Sequence, residues 1–76
     1  MQVTVAKVHE NLFTGEAKSI TLPTTSGIIT ILAKHEALVS PLTSGTITVR
    51  TDHGEQSFPV ETGVLEVSND QVTVLL

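Results

Sequence analysis

Seventy-six residues with four basic and eight acidic side chains, a net charge of −4 and no cysteine set narrow limits on function. The acidic balance opposes the phosphate neutralisation that nucleic-acid binding requires, and without cysteine neither a disulfide framework nor a thiolate metal site is available. No apolar run nears the ~20 residues that cross a bilayer, so the chain reads as one soluble, cytoplasmic domain over residues 1–76.

A domain this small buries only about 60% of the surface its unfolded chain exposes. Its stability margin is therefore expected to be thin. Ten Val, five Ile and twelve Thr dominate the composition, and β-branched side chains fit a pleated, half-buried surface better than a helix. Val3 and Val5 alternate with Gln2, Thr4 and Ala6, the period-2 signature of a strand with one buried face. This alternation also excludes a basic, then apolar, secretion signal. At Lys7 the inward set breaks, through either a bulge or an exposed strand end.

Asn11 and Gly15 bracket Leu12-Phe13-Thr14, which predicts a reversal around Phe13. A strand from Glu16 to Leu22 is expected next, with Lys18, Ile20 and Leu22 on one face and Pro23 as its stop. Thr24-Thr25-Ser26-Gly27 reads as a turn. Ile28 to Leu32 is nearly continuous apolar and predicts a strand with little solvent on either face. Ala33 to Leu38 alone has helix propensity, but six residues allow one helical turn or a tight corner at most.

The second half is more regular. Thr46 to Thr51 alternates, with Ile47 and Val49 inward, and Asp52-His53-Gly54 forms a hairpin loop. Glu55 to Glu61 returns with Gln56, Phe58 and Val60 on one face, and Pro59 confines it to an edge. Val64 to Ser68 puts Leu65 and Val67 inward, Asn69-Asp70 makes a two-residue turn, and Val72 to Leu76 closes the chain. Turn signals every eight to twelve residues with no helical period define an all-β sandwich or small barrel.

Chemistry-bearing patterns are missing from this sequence. His9, His35 and His53 lie far apart with no HxxxH spacing, so no metal site is expected. His9 and His53 read as solvated turn residues, whereas His35, between two apolar runs, reads as half-buried and hydrogen-bonded. No GxSxG elbow, P-loop, GxGxxG or EF-hand occurs, and Glu16, Glu55, Glu61 and Glu66 read as outward strand positions. Neither a catalytic residue nor a cofactor is expected. With Phe13 and Phe58 as the only aromatics, stacking platforms for single-stranded nucleic acid are absent too.

The order Phe13-Thr14-Gly15, Leu22-Pro23, Gly27, Ile31-Leu32, His35, Leu38, Leu42, Gly63, Leu65-Glu66-Val67 and Val72-Thr73-Val74-Leu75 resembles the N-terminal β-sandwich domain of the epsilon subunit of F-type ATP synthase, called delta in mitochondria. The resemblance covers nearly the whole chain. It implies a flattened β-sandwich of about ten short, mostly antiparallel strands in the central stalk of the rotor, coupling the gamma subunit to the membrane c-ring without catalysing a reaction. Carried over residue by residue, it puts Thr25, Ser26, Gly27, Ile28 and His35 against the c-ring and Lys7 and Ser40 against gamma. It implies attachment through the complex to the cytoplasmic face of the bacterial inner membrane, and a monomer or weak self-association in isolation.

Three departures from the family pattern stand out. Ile28 replaces an acidic residue and Thr30 a glycine, while His35-Glu36-Ala37 replaces a His-Ala-Pro corner. The family's C-terminal helical hairpin has no counterpart in these residues, so regulation through it is not expected. Two other readings compete. One is a free-standing β-sandwich adaptor, because fold alone does not fix function. The other is a ubiquitin-like modifier, which the lack of a long amphipathic helix and of a C-terminal Gly-Gly excludes.

Overall fold

The computed structural model describes all residues from Met1 to Leu76. Nine strands form where about ten were expected: β1 (Gln2–Lys7), β2 (Glu10–Glu16), β3 (Ser19–Thr24), β4 (Gly27–Leu32), β5 (Leu38–Leu42), β6 (Gly45–Thr51), β7 (Gly54–Val60), β8 (Gly63–Ser68) and β9 (Gln71–Leu75). No helix is present. Pairing runs β2-β1-β9-β8-β5-β3-β6-β7, with β4 on the remaining side of β3. The β3–β5 link is a single pair, Thr24 opposite Leu42, so the hydrogen-bonded sheet folds there into two layers, β2-β1-β9-β8-β5 and β4-β3-β6-β7. All pairs are antiparallel except β1 with β9.

One core fills the space between the layers. Val3, Val5, Leu65, Val67, Val72 and Val74 come from the first layer, and Ile20, Leu22, Ile31, Ile47 and Val49 from the second. These are the inward positions that period-2 alternation predicts. The Asn69-Asp70 turn has φ 52° and 59°, as a two-residue type I′ hairpin requires at both central positions.

Several local expectations fail for identifiable reasons. The reversal falls at Val8-His9, and Asn11 to Gly15 lies within β2, whose register slips opposite Val5/Ala6 so that Leu12 has no partner. Pro23 continues β3 and faces Ile28 of β4. It is tolerated because β6 leaves β3 after Thr21 and β5 joins only at Thr24, so no neighbour needs its missing N–H. Lys18 precedes β3 and turns outward to Asp52, 3.0 Å away, rather than sharing the inward face of Ile20. Ala33 to Ala37 is a corner, with Lys34 at φ 64°. The prediction for β4 is also wrong: the strand lies at an edge, and Ile28 and Leu32 are 77% and 60% exposed.

Candidate interaction surfaces

Thr24 to Gly27 builds a compact turn at one end of β3 and β4. The Thr24 hydroxyl donates to the Gly27 carbonyl at 2.6 Å and accepts the Ser26 N–H at 3.2 Å. Gly27 has φ 126°, a backbone conformation that side chains other than glycine's rarely adopt. The turn leaves Thr25, Ser26, Gly27 and Ile28 together and exposed.

His35 does not join them. It follows the far end of β4, five residues of strand beyond Gly27, so about 17 Å separates the two ends of that strand. The ring is half-buried, and its Nδ1 lies 2.7 Å from the Glu36 carbonyl oxygen. A carbonyl only accepts, so this bond places the proton on Nδ1. The corner is held further by Lys34, whose N–H donates to Asp70 Oδ1 at 2.7 Å.

Lys7 and Ser40 prove to be related by the sheet. Ala6 stands opposite Leu75, Leu75 opposite Val64, and Val64 opposite Pro41, so the sequence neighbours of Lys7 and Ser40, Ala6 and Pro41, end one row across β1, β9, β8 and β5, while Lys7 and Ser40 themselves fall in the opposite side-chain phase. Lys7 is exposed, whereas the Ser40 hydroxyl bonds to the Pro41 carbonyl. Between them the row is apolar and outward: Leu75 is 56% and Val64 46% exposed, with Pro41 open beside them. Val39, two residues along β5, is 68% exposed. Sequence reasoning missed Val39, Pro41, Val64 and Leu75. The signal was present in Val64 and Leu75, apolar residues out of phase with the inward Leu65, Val67, Val72 and Val74.

The turn and the row are tied together by backbone. Thr25 N–H donates to the Pro41 carbonyl at 3.2 Å, and Thr43 N–H to the Pro23 carbonyl at 2.9 Å, flanking the Thr24–Leu42 pair. Elsewhere the surface offers little for chemistry. No three His, Asp or Glu side chains group as metal ligands, His9 and His53 sit exposed in turns, and the clefts are open and lined mainly by polar residues or strand ends. Asp52 is held below the ordinary aspartate range by hydrogen bonding and attraction from Lys18.

Fold and surface together define a small β-sandwich whose distinguishing surface features are exposed apolar patches. The chain belongs to the family described as ATP synthase, Delta/Epsilon chain, beta-sandwich domain, whose model matches residues 1–76. Members of that family serve the synthase in regulatory or structural roles rather than as its catalytic subunits. Among solved structures, the chain is similar to one from the Euglena gracilis mitochondrial ATP synthase in a structure that includes the c-ring, with 25% identity, a TM-score of 0.88, and 96% of this chain and 48% of that one covered. A chain from the central stalk/c-ring structure of the Tetrahymena thermophila mitochondrial ATP synthase gives 18% identity, a TM-score of 0.85 and coverage of 99% and 61%; at that identity the likeness is one of fold. This chain thus spans about half and about three-fifths of those two relatives. No curated protein matches it in sequence.

Proposed function

We propose that this chain is a non-catalytic central-stalk subunit of a rotary ATP synthase, docking the gamma subunit on one surface and the c-ring on another. The observation that carries this reading is the outward row Pro41–Val64–Leu75, an apolar stripe on a sheet face that the core does not need. Its ends adjoin Lys7 and Ser40 in the chain, and it is assigned to gamma. The exposed turn Thr25 to Ile28 is assigned to the c-ring. His35, at the opposite end of β4, braces the corner into β5 and is withdrawn from the c-ring set.

Torque passed between two partners needs a stiff element between their contacts. The Thr25–Pro41 and Thr43–Pro23 backbone bonds supply it, because they join the turn directly to the strand that bears the apolar row. Residues 1–76 act as one folding unit, peripheral to the membrane and attached only through the complex. In a bacterial owner that places the domain on the cytoplasmic face of the inner membrane.

Co-expression with a gamma subunit tests the reading. A complex should form at micromolar concentration, and Leu75→Glu should weaken it about tenfold or more by placing an unpaired carboxylate against an apolar partner. Absence of a complex with the unaltered chain would sink the proposal. Ile28→Asp should leave the fold intact and reduce coupling between rotation and ion flow in reconstituted vesicles.

A further inference from the structure

The outer edge of β4 is paired to nothing. Its two-residue turn makes Thr24 and Gly27 a hydrogen-bonded pair, and the uninterrupted register alternates from there. Gly27, Ile29 and Ile31 therefore direct N–H and C=O to β3, while Ile28, Thr30 and Leu32 direct theirs away from it. Of these outward groups only the Leu32 carbonyl has a partner, the His35 N–H at 3.3 Å. The side chains of the same three residues are exposed.

Edges of this kind are normally blocked by charge, proline, bulges or short length. The other three edges here carry such features. β2 has Glu10, Glu16 and its register slip, β7 has Glu55 and Pro59, and β5 is short and holds Pro41. From Gly27 to Ala33 there is no charge, no proline and no slip.

We propose that β4 is a self-complementary docking edge, along which two copies of this chain pair antiparallel about a two-fold axis through Thr30. In that register Thr30 meets Thr30 of the second copy, and each Ile28 meets a Leu32. Shifting by two residues sets Thr30 against an isoleucine or leucine, so the centred register alone matches apolar with apolar at both outer positions. The uncharged, near-palindromic series Ile28-Thr30-Leu32 identifies a second copy as the occupant. Because Ile28 also belongs to the turn assigned to the c-ring, the dimer is the unassembled form and separates when the subunit enters a complex. The pairing itself does not depend on the stalk reading.

Light scattering after size exclusion, from about 1 µM to about 1 mM of the purified chain, should show the mass rising from one chain to two. Thr30→Lys sets like charges opposite each other, and Thr30→Pro removes a donor from each copy without touching the β3 ladder; each should raise the concentration needed about tenfold or more. Because the chain has no cysteine, Thr30→Cys is a direct reporter. The pair's Cα separation of about 5.5 Å suits a disulfide, so mild oxidation should give a covalent dimer rapidly, whereas Glu66→Cys on the outward face of β8 should not. A single-chain mass throughout the range overturns the inference. So does association indifferent to Thr30→Lys and Thr30→Pro, or cross-linking of Thr30→Cys no faster than that of Glu66→Cys. A monomer that still binds gamma defeats only this inference, and a dimer that ignores gamma defeats only the stalk reading.

Discussion

β4 and β6 flank β3 on its two sides and share a core pattern, yet they meet solvent in opposite ways. Gly27-Ile28-Ile29-Thr30-Ile31-Leu32 and Gly45-Thr46-Ile47-Thr48-Val49-Arg50 agree at every inward position: Ile29 with Ile47, and Ile31 with Val49. They share a threonine at the middle outward position, Thr30 and Thr48, and part at the two that flank it, where β6 has Thr46 and Arg50 and β4 has Ile28 and Leu32. β6 is covered on its far side by β7, while β4 is uncovered. The fold is thus satisfied by the inward residues of both strands. The outward apolar residues of β4 are surplus to it, and that surplus is the signature of a contact surface.

The largest expected effect tests this division directly. Ile47→Ala, at a fully buried site, should cost about 2–5 kcal/mol in denaturant unfolding. Ile28→Ala, at its outward counterpart, should change stability by no more than about 0.5 kcal/mol. A cost at Ile28 approaching that at Ile47 would mean that β4 stabilises the fold with its outer face, and the contrast would collapse.

The glycines that open the two strands sharpen it at intermediate size. A Cβ on Gly27 would meet nothing within 4 Å, but residues with a side chain rarely adopt its φ of 126°, so Gly27→Ala should cost about 1–3 kcal/mol through backbone strain. Gly45 has an ordinary backbone, and a Cβ there would stand 3.0 Å from the Pro23 ring. Gly45→Ala should cost less, about 1 kcal/mol, because the ring needs to give by only a few tenths of an ångström. Thermal melts of the two variants rank these effects. The reverse order would show that the turn can relax and that Pro23 cannot.

What the sequence disclosed follows the same line. Inward positions are legible because burial on one face imposes period 2, which singles out Val3, Val5, Ile47, Val49, Leu65 and Val67. The β4 edge is not. A continuous apolar run reads alike whether both faces are covered or one is reserved for a partner, since periodicity carries no record of which neighbours belong to the same chain. Pro23 misled for a related reason. A proline stops a strand only where a neighbour needs its N–H, and the divergence of β5 and β6 at that point is a property of the topology. Val64 and Leu75 were legible one by one as apolar residues out of phase with their strands, but that they join Pro41 in one row depends on the register of strands distant in sequence, which no local pattern records.

The smallest effect comes from the charged closure on the β6 side, which β4 lacks. Lys18, before β3, and Asp52, after β6, pair at 3.0 Å with both side chains largely exposed. The Lys18 ammonium lowers the Asp52 pKa in the folded chain, so in acid the folded state binds fewer protons at this site than the unfolded one, and stability rises with pH there. The contribution is complete above the ordinary aspartate value of about 3.9 and disappears as pH falls through the lower folded value. Urea midpoints of the native chain and of Asp52→Asn should therefore differ slightly at pH 6 and converge toward pH 2. High salt should shrink the difference at pH 6, because water and ions screen an exposed pair. A gap that persists undiminished in acid would show that Asp52 supports the loop through hydrogen bonding alone, and that charge plays no part in closing the β6 side of the sheet.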